Sequence, residues 1–438
     1  MPSMSKRWWE QAAERIAAHK ARVAVIGMGY VGTAAVRAIS SCSFSVVGIE
    51  TDPERLRELR SLRKRDLRAT NSTGAITFAD RYELLRECDV VLICVQTPLN
   101  RMRAPELSFV HDAARHVRDH LHRGQLVVLE STTYPGTTDE EVLPILQKGP
   151  LRCGRDFFLA YCPERVDPGN PVFNIQNIPR VVGGVDASST ELAALFYRQF
   201  VPSVSTVSDA RTAEAVKLLE NIYRCVNIAL VNELKVLFDR MGIDVWEVVD
   251  AAATKPFGFQ PFRPGPGMGG HCVPVDPFYL AWKARQYDLR TRFIELAGEV
   301  NTEMPAFVFD RVVSALNRCG KSLRGARVLV LGVAYKAAVA DTRETPAGPL
   351  LARLHAEGAR ISYNDPYVPT FAVPDCAGLV LRSRALSPAL LRRQDCVVIV
   401  TDHPDYDYEM VVRYAPLIVD TRNATRNVRR YRSRIVKA

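Results

Sequence analysis

Short runs that are apolar at every position recur along the chain, separated by polar, helix-like stretches. Val23-Ala-Val-Ile26, Val46-Val-Gly-Ile49 and the run from Val90 to Val95 are the first three. A strand that is apolar throughout, rather than at alternate positions, is covered on both faces. Alternation of such strands with helical stretches predicts a parallel sheet between helical layers. The pattern returns near the C-terminus. Ala21-Arg-Val-Ala-Val-Ile-Gly27 is echoed 305 residues later by Ala326-Arg-Val-Leu-Val-Leu-Gly332. Each copy leads into a helix-like stretch and then a second strand ending in an acid, Glu50 in one and Asp365 in the other. A further buried strand follows in each, over 89–95 and 395–400. The chain therefore predicts an α/β protein with two doubly wound units, near 20–200 and 322–438.

Between the two units the periodicity changes. From Asp209 to Met241 there is no Pro or Gly, and apolar residues recur every three or four positions. This predicts one long helix, stopped by Gly242. A helix of that length between two α/β units needs a surface to pack on, and a second copy of the chain is the expected one. The division predicted is 1–205, 206–321 and 322–438. Residues 1–20 carry Trp8, Trp9 and Ile16 among charged positions and predict a short amphipathic helix without the apolar core of a secretory signal. The apolar runs fall well short of the roughly 18 residues of a membrane span. A cytoplasmic protein without membrane contact is expected.

Charge changes the picture only slightly. Lys and Arg number 58 against 48 Asp and Glu, and 47 of the 58 are Arg. The excess reflects either a general bias toward Arg or binding of anionic ligands. The basic runs at 60–68 and 429–434 are short and broken, so nucleic acid is not an expected partner. Ten cysteines are present, none in a Cys-x-x-Cys pair, so neither a zinc ribbon nor any other metal site is expected. Disulfides are not expected in a reducing compartment.

Gly27-Met-Gly-Tyr-Val-Gly32 fits G-x-G-x-x-G, and its context makes it specific: a strand precedes it, a helix follows, and Glu50 ends the next strand. Gly27 permits the tight turn, Gly29 lets the backbone approach a pyrophosphate, and Gly32 permits close helix–strand packing. The helix N-terminus faces the anion. Glu50 accepts from ribose hydroxyls, which favours NAD over NADP. Arg55 lies over the adenine or is a surface residue. The expected cofactor site is Gly27, Gly29, Tyr30, Val31, Gly32, Glu50 and Arg55. The second echo has Ala334 where the second glycine would stand, so a pyrophosphate could not approach there in the same way. Lys336 and Arg343 near that strand end suit a different phosphorylated ligand.

The most unusual stretch is Pro264-Gly-Pro-Gly-Met-Gly-Gly-His-Cys272, with Asp276 four residues on. Four glycines and two prolines make a backbone-shaped loop, and Cys272 beside His271 is a nucleophile candidate. Lys217 and Asn221 share a helix face at i, i+4. Glu164 and Thr132 each follow an apolar strand, where α/β sheets open to ligand. NAD and a cysteine together suggest oxidation of an alcohol through an aldehyde, a thiohemiacetal and a thioester to an acid. A cation such as Lys217 promotes the thiolate, and Lys217 with Asn221 stabilises oxyanions. Asp276 or Glu164 accepts the proton.

These residues bring the chain close to a known family. GMGYVG at 27–32, CVQTPLN at 94–100, ESTTYPGTT at 130–138, CPERVDPGN at 162–170, KLLEN at 217–221, GPGMGGHCVPVDPFYL at 265–280 and DTRETP at 341–346 resemble the UDP-glucose/GDP-mannose dehydrogenases. The likeness runs from about residue 21 to 425. The stretches 245–262 and 291–301, with His271 before Cys272, are similar to the bacterial UDP-N-acetylglucosamine 6-dehydrogenase branch.

The resemblance implies two Rossmann-like domains joined by a long central helix that forms a homodimer, NAD as cofactor and a UDP-sugar as substrate. It implies that Cys272 is the nucleophile, Lys217 the oxyanion stabiliser and Asp276 the carboxylate that tunes water and thiol. Glu164 and Thr132 join the proton and water network, and Asn221 holds the same centre. Thr97 and Thr132 belong to the cofactor side. Glu164, Arg165, Lys217, Asn221, Arg263, Gly269, Lys336 and Arg343 belong to the substrate side. Glu50, Gln96, Cys162, Val166 and Ala337 depart from the family's commoner residues, and none of these changes removes a catalytic group. The expected reaction is four-electron oxidation of UDP-N-acetylglucosamine at C6. The same chemistry on UDP-glucose, UDP-ManNAc, UDP-GalNAc or GDP-mannose is the alternative. A catalytically dead sensor would have lost Cys272, Lys217 or Asp276, and all three are present.

Overall fold

The computed structural model describes residues 4–61, 74–100, 104–167, 170, 172–270 and 273–438. The chain forms two compact units, Met1–Glu220 with Phe278–Leu289, and Asn221–Pro277 with Arg290–Ala438.

The first unit is built on eight strands: β1 (Arg22–Ile26), β2 (Ser45–Ile49), β3 (Ile76–Ala79), β4 (Val90–Ile93), β5 (Leu126–Leu129), β6 (Phe158–Tyr161), β7 (Arg180–Gly184) and β8 (Val204–Thr206). They lie in the order β3-β2-β1-β4-β5-β6-β7-β8. The predicted runs are strands, and β4 and β5 are buried at every position because helices cover both faces. Crossovers through helices such as Tyr30–Ser41 and Ser108–His120 keep β1 to β6 parallel. β7 departs from that rule and runs antiparallel to β6. No helix lies in the described part of the 162–179 connection, so the chain simply turns back along the edge. The N-terminal helix Met4–Ala17 buries Ile16, and its Trp9 Nε1 donates to the Ser188 carbonyl at 3.1 Å.

The second unit repeats the plan with five parallel strands. These are β9 (Arg327–Leu331), β10 (Arg360–Asn364), β13 (Cys396–Ile399), β14 (Ile418–Asp420) and β15 (Ile435–Lys437), ordered β10-β9-β13-β14-β15. A small hairpin, β11 (Thr370–Ala372) with β12 (Val380–Arg382), lies outside that sheet. Apolar clusters fill both faces. One includes Val328, Val330 and Val398, and the other Leu329, Leu331 and Val397, alternating as side chains on a strand must.

The predicted long helix is present over Ala210–Met241, 32 residues. Asp209 caps its start by accepting from the Thr212 N–H at 2.7 Å, and Gly242 ends it with φ of +72°. The protein thus has two Rossmann-like doubly wound sheets with a long helix between them in the chain.

Candidate functional site

In the first unit, the glycine turn joins β1 to the helix Tyr30–Ser41. Gly27 has φ of +90°, and a Cβ there would lie 2.7 Å from the Cys94 carbonyl oxygen. A Cβ on Gly32 would overlap the Gly27 carbonyl. A Cβ on Gly29 would meet nothing within 4 Å, so the backbone is open to a ligand there. The helix has no side-chain cap at Gly29, which leaves its first N–H groups for an anion. Glu50 sits at the end of β2 and accepts from Met28 N at 3.0 Å, Thr51 N at 2.8 Å and Asp52 N at 3.0 Å. Its carboxylate is therefore aimed at the turn. Arg55 donates through Nε to the Met28 carbonyl at 3.1 Å and pairs with Glu58 at 2.6 Å, so it buttresses the turn. Tyr30 is exposed and Val31 half-buried at the mouth. This open, uncapped turn with its carboxylate fits the pyrophosphate and ribose of a dinucleotide.

The strand ends beside it carry the other predicted groups. Thr97 is buried, and its hydroxyl donates to the Thr132 carbonyl at 2.8 Å. The Tyr279 hydroxyl donates to the Thr97 carbonyl. Glu164 follows β6. One of its oxygens accepts from Arg165 N and Val166 N, both at 2.7 Å, and the other from Arg180 at 2.6 Å. Although the Tyr30 residue is half exposed, partial desolvation of its hydroxyl, with the charges of Glu164 and Asp167, pushes that hydroxyl up. The Arg165 side chain pairs with Glu220 at 2.6 Å. Lys217 is 8% exposed, and its ammonium has no hydrogen bond or ion pair among the described residues.

In the second unit, Asn221 Nδ2 donates to Asp276 at 2.5 Å, and both side chains are buried. Asp276 opens the helix Asp276–Arg285, where a carboxylate is favoured. The glycine-rich loop is shaped by close approaches. Gly265 N donates to Asn232 at 2.9 Å, and Asn232 is itself held by Asn301 at 2.8 Å. Gly270 has φ of +89°, its N–H donates to the Arg343 carbonyl at 2.9 Å, and a Cβ there would lie 2.8 Å from the Tyr335 ring. A Cβ on Gly269 would lie 2.7 Å from Tyr335. The loop therefore rests on the 332–346 segment that carries Lys336 and Arg343. Lys336 is half-buried, while Arg343 is exposed and pairs with Asp341 at 2.6 Å. Arg263 is exposed and pairs with Asp250. Cys272 and His271 lie outside the described residues.

Asp365 ends β10 as Glu50 ends β2, but it is turned inward. It accepts from Val333 N at 2.8 Å, Ala334 N at 2.9 Å and His403 Nε2 at 3.1 Å. His403 Nδ1 accepts from Ala338 N, so the ring proton is on Nε2. Burial works to raise the Asp365 carboxyl, but these bonds outweigh it and hold it below the usual range. Pattern reading missed His403, Arg180, Glu214, Asn232 and Asn301. Each is an isolated polar residue whose partners lie far away in sequence, so no local motif marks it.

The whole pattern has a counterpart among known proteins. The chain matches the NAD binding domain of the UDP-glucose/GDP-mannose dehydrogenase family over residues 21–201, its central domain over 211–303 and its UDP binding domain over 329–427. The chain belongs to the UDP-glucose/GDP-mannose dehydrogenase family. It is an NAD-dependent nucleotide-sugar dehydrogenase, and the turn at 27–32 lies in its NAD-binding part. One relative, the UDP-N-acetyl-D-mannosamine dehydrogenase of Methanocaldococcus jannaschii, is 34% identical over 420 residues, 92% of each chain. The UDP-N-acetyl-D-glucosamine 6-dehydrogenase of Pseudomonas aeruginosa is 35% identical over 353 residues, covering 79% of this dehydrogenase and 83% of the relative. The solved UDP-D-ManNAc dehydrogenase of Pyrococcus horikoshii superposes with a TM-score of 0.83 at 34% identity, over 92% of this chain and 96% of that one. Among the described residues, no helix is long and apolar enough to cross a membrane, and no group of three or more His, Cys, Asp or Glu is arranged to hold a metal.

Proposed function

We propose that this dehydrogenase oxidises the C6 hydroxymethyl of UDP-N-acetylglucosamine to the carboxylate, UDP-GlcNAcA, in two NAD-dependent steps. The choice of sugar rests on the resemblance of 245–262 and 291–301 to the UDP-N-acetylglucosamine branch, and the observation that carries the two-step chemistry is Lys217. Lys217 is 8% exposed and its ammonium meets no anion among the described residues, which leaves its charge for a ligand or a reaction intermediate. NAD held at the 27–32 turn would supply the hydride acceptor for each step, one NAD per hydride and two per sugar oxidised to the acid. The first oxidation converts the alcohol to the aldehyde, with its proton passing to Asp276 or Glu164. The Cys272 sulfur adds to the aldehyde carbon, and Lys217 and Asn221 stabilise the oxygen of the thiohemiacetal. Loss of the second hydride leaves a thioester. Water then attacks its carbonyl, in the network of Asp276, Glu164 and Thr132, and releases the acid and the free thiol.

The NAD side is assigned to Gly27, Gly29, Tyr30, Val31, Gly32, Glu50, Arg55, Thr97 and Thr132. The substrate side is assigned to Arg165, Arg263, Gly269, Lys336 and Arg343 with the catalytic groups. The working division is 1–205 for NAD, 206–321 for the catalytic loop and dimer, and 322–438 for the UDP-sugar. The described cysteines are free, which suits a reducing cytoplasm. UDP-N-acetylmannosamine is the second reading, favoured by the relatives of that name that match 92% of the chain.

Absorbance at 340 nm with NAD and a panel of nucleotide sugars tests the substrate. Two NADH per UDP-N-acetylglucosamine, with UDP-N-acetylmannosamine and UDP-glucose much slower, is the expected result. Two NADH from another sugar would overturn the substrate and keep the chemistry. Cys272→Ser is expected to bind NADH normally and to form no acid. Acid formation at the wild-type rate would remove Cys272 as nucleophile.

A further inference from the structure

An arginine that is 1% exposed stands where the strands of the NAD-binding sheet end. Arg180 is the first residue of β7. Because β7 runs against β6, with Tyr161 opposite Gly183 and Ala160 opposite Gly184, the start of β7 lies beyond the end of β6. In a parallel strand the same residue would lie at the opposite edge of the sheet. Strand direction therefore brings Arg180 to the edge where such sheets bind ligand.

The guanidinium spans one loop. Its Nη1 donates to the Pro163 carbonyl at 2.9 Å, and its Nη2 to Glu164 Oε2 at 2.6 Å. Glu164 Oε1 is meanwhile held by the Arg165 and Val166 N–H groups. The carboxylate cannot turn without breaking these bonds. Behind the arginine lies the Tyr197 ring, 5.6 Å away, whose hydroxyl donates to the buried Glu130. Cys94 donates to the other Glu130 oxygen at 3.5 Å. Burial pushes the Glu130 carboxyl up, and the Arg180 charge opposes that rise. A buried ion pair contributes little net stability compared with apolar packing, so the main consequence of this one is geometric.

We propose that Arg180 is a positioning residue for the dehydrogenation, holding the Pro163–Val166 loop so that the Glu164 carboxylate is fixed at the strand-end edge. This rests on the reading that Glu164 joins the proton and water network. Lysine keeps the charge but lacks the planar fork that reaches Pro163 and Glu164 together.

The test is a double-mutant cycle on the full chain, with NAD and whichever nucleotide sugar the panel identifies. Arg180→Lys is expected to lower kcat by about tenfold through misplacement of Glu164, with NADH affinity changed less than about twofold. Glu164→Gln is expected to be slow by itself. The double variant is expected to be no slower than Glu164→Gln within about twofold, because coupled residues are not additive. Arg180→Gln is read in the same way if the lysine variant does not fold. An equal loss from Arg180→Lys in the Glu164→Gln background would overturn the proposal, since the arginine would then act elsewhere. Wild-type kcat in Arg180→Lys beside a slow Glu164→Gln overturns this proposal alone. Wild-type turnover in Glu164→Gln overturns the role of Glu164 and this proposal with it.

Discussion

Gly27, Gly29 and Gly32 lie within six residues, yet they meet three different environments. The first is held in a left-handed turn under the Cys94 carbonyl, the third is pressed on the Gly27 carbonyl, and the second faces open space. The same substitution should therefore fail for different reasons. Gly32→Ala is expected to cost about 1–3 kcal/mol of stability by overpacking, seen as a lower Tm. Gly29→Ala is expected to keep the wild-type Tm and to weaken NADH about tenfold, because its methyl group occupies the space where the pyrophosphate approaches. A fluorescence titration with NADH beside a thermal melt separates the two. Equal melting temperatures for both variants would remove the packing role of Gly32. The distinction was legible in the motif, because glycine spacing reports backbone needs that are local. The grip of Arg180 on Glu164 was not, since 16 residues and a reversal of chain direction separate them.

At the scale of elements, the central helix is tied to the loop after β5. Glu214, in its second turn, accepts from Gly136 N at 2.6 Å, from Thr138 N at 2.9 Å and from the Thr138 hydroxyl at 2.6 Å. Lys217 follows three residues later and Thr132 precedes the loop, so one carboxylate anchors the elements carrying two proposed catalytic groups. Burial pushes Glu214 up to about 7, against the three bonds that favour its ionised form, with Asp139 adding to the rise. An acid whose folded-state pKa is raised binds its proton more tightly in the folded chain than in the unfolded one. Its contribution to stability is therefore greatest at low pH. It is lost as pH rises from the unfolded value, about 4.3, and levels off above about 7. Glu214→Gln is expected to flatten this decline by a few kcal/mol between pH 5 and pH 8. Calorimetric melts of both proteins at the two values check it, and an unchanged decline in the variant assigns the slope to other groups. The helix itself was predicted from its periodicity. Its anchor was not, because nothing in the sequence around Glu214 indicates burial against residues 136–138.

For the whole molecule, the central helix leaves Tyr223, Leu230 and Leu237 exposed at seven-residue spacing, with Met241 one turn beyond. Residues seven apart return to nearly the same side of a helix, so these four form an apolar seam. We propose that a second copy of the chain covers it. Leu230→Asp combined with Leu237→Asp is expected to turn a dimer into a monomer in sedimentation velocity at micromolar concentration. An unchanged dimer would move the interface elsewhere, and a monomeric wild type would remove it.

By itself, the sequence determined two wound sheets, a long helix between them, an NAD turn, and a glycine loop that no regular element could contain. These follow from apolar periodicity and from the backbone freedom of glycine, both of which act over a few residues. Tertiary structure alone decided which polar groups meet. It turned β7 back along β6 and so brought Arg180 to Glu164. It turned Asp365 inward onto His403 while leaving Glu50 at the NAD turn, although both acids end equivalent strands. It also buried Lys217 without a partner among the described residues. Hydrogen bonds between distant residues depend on which strands become neighbours and in which direction they run, and a polar residue's few neighbours in sequence specify neither.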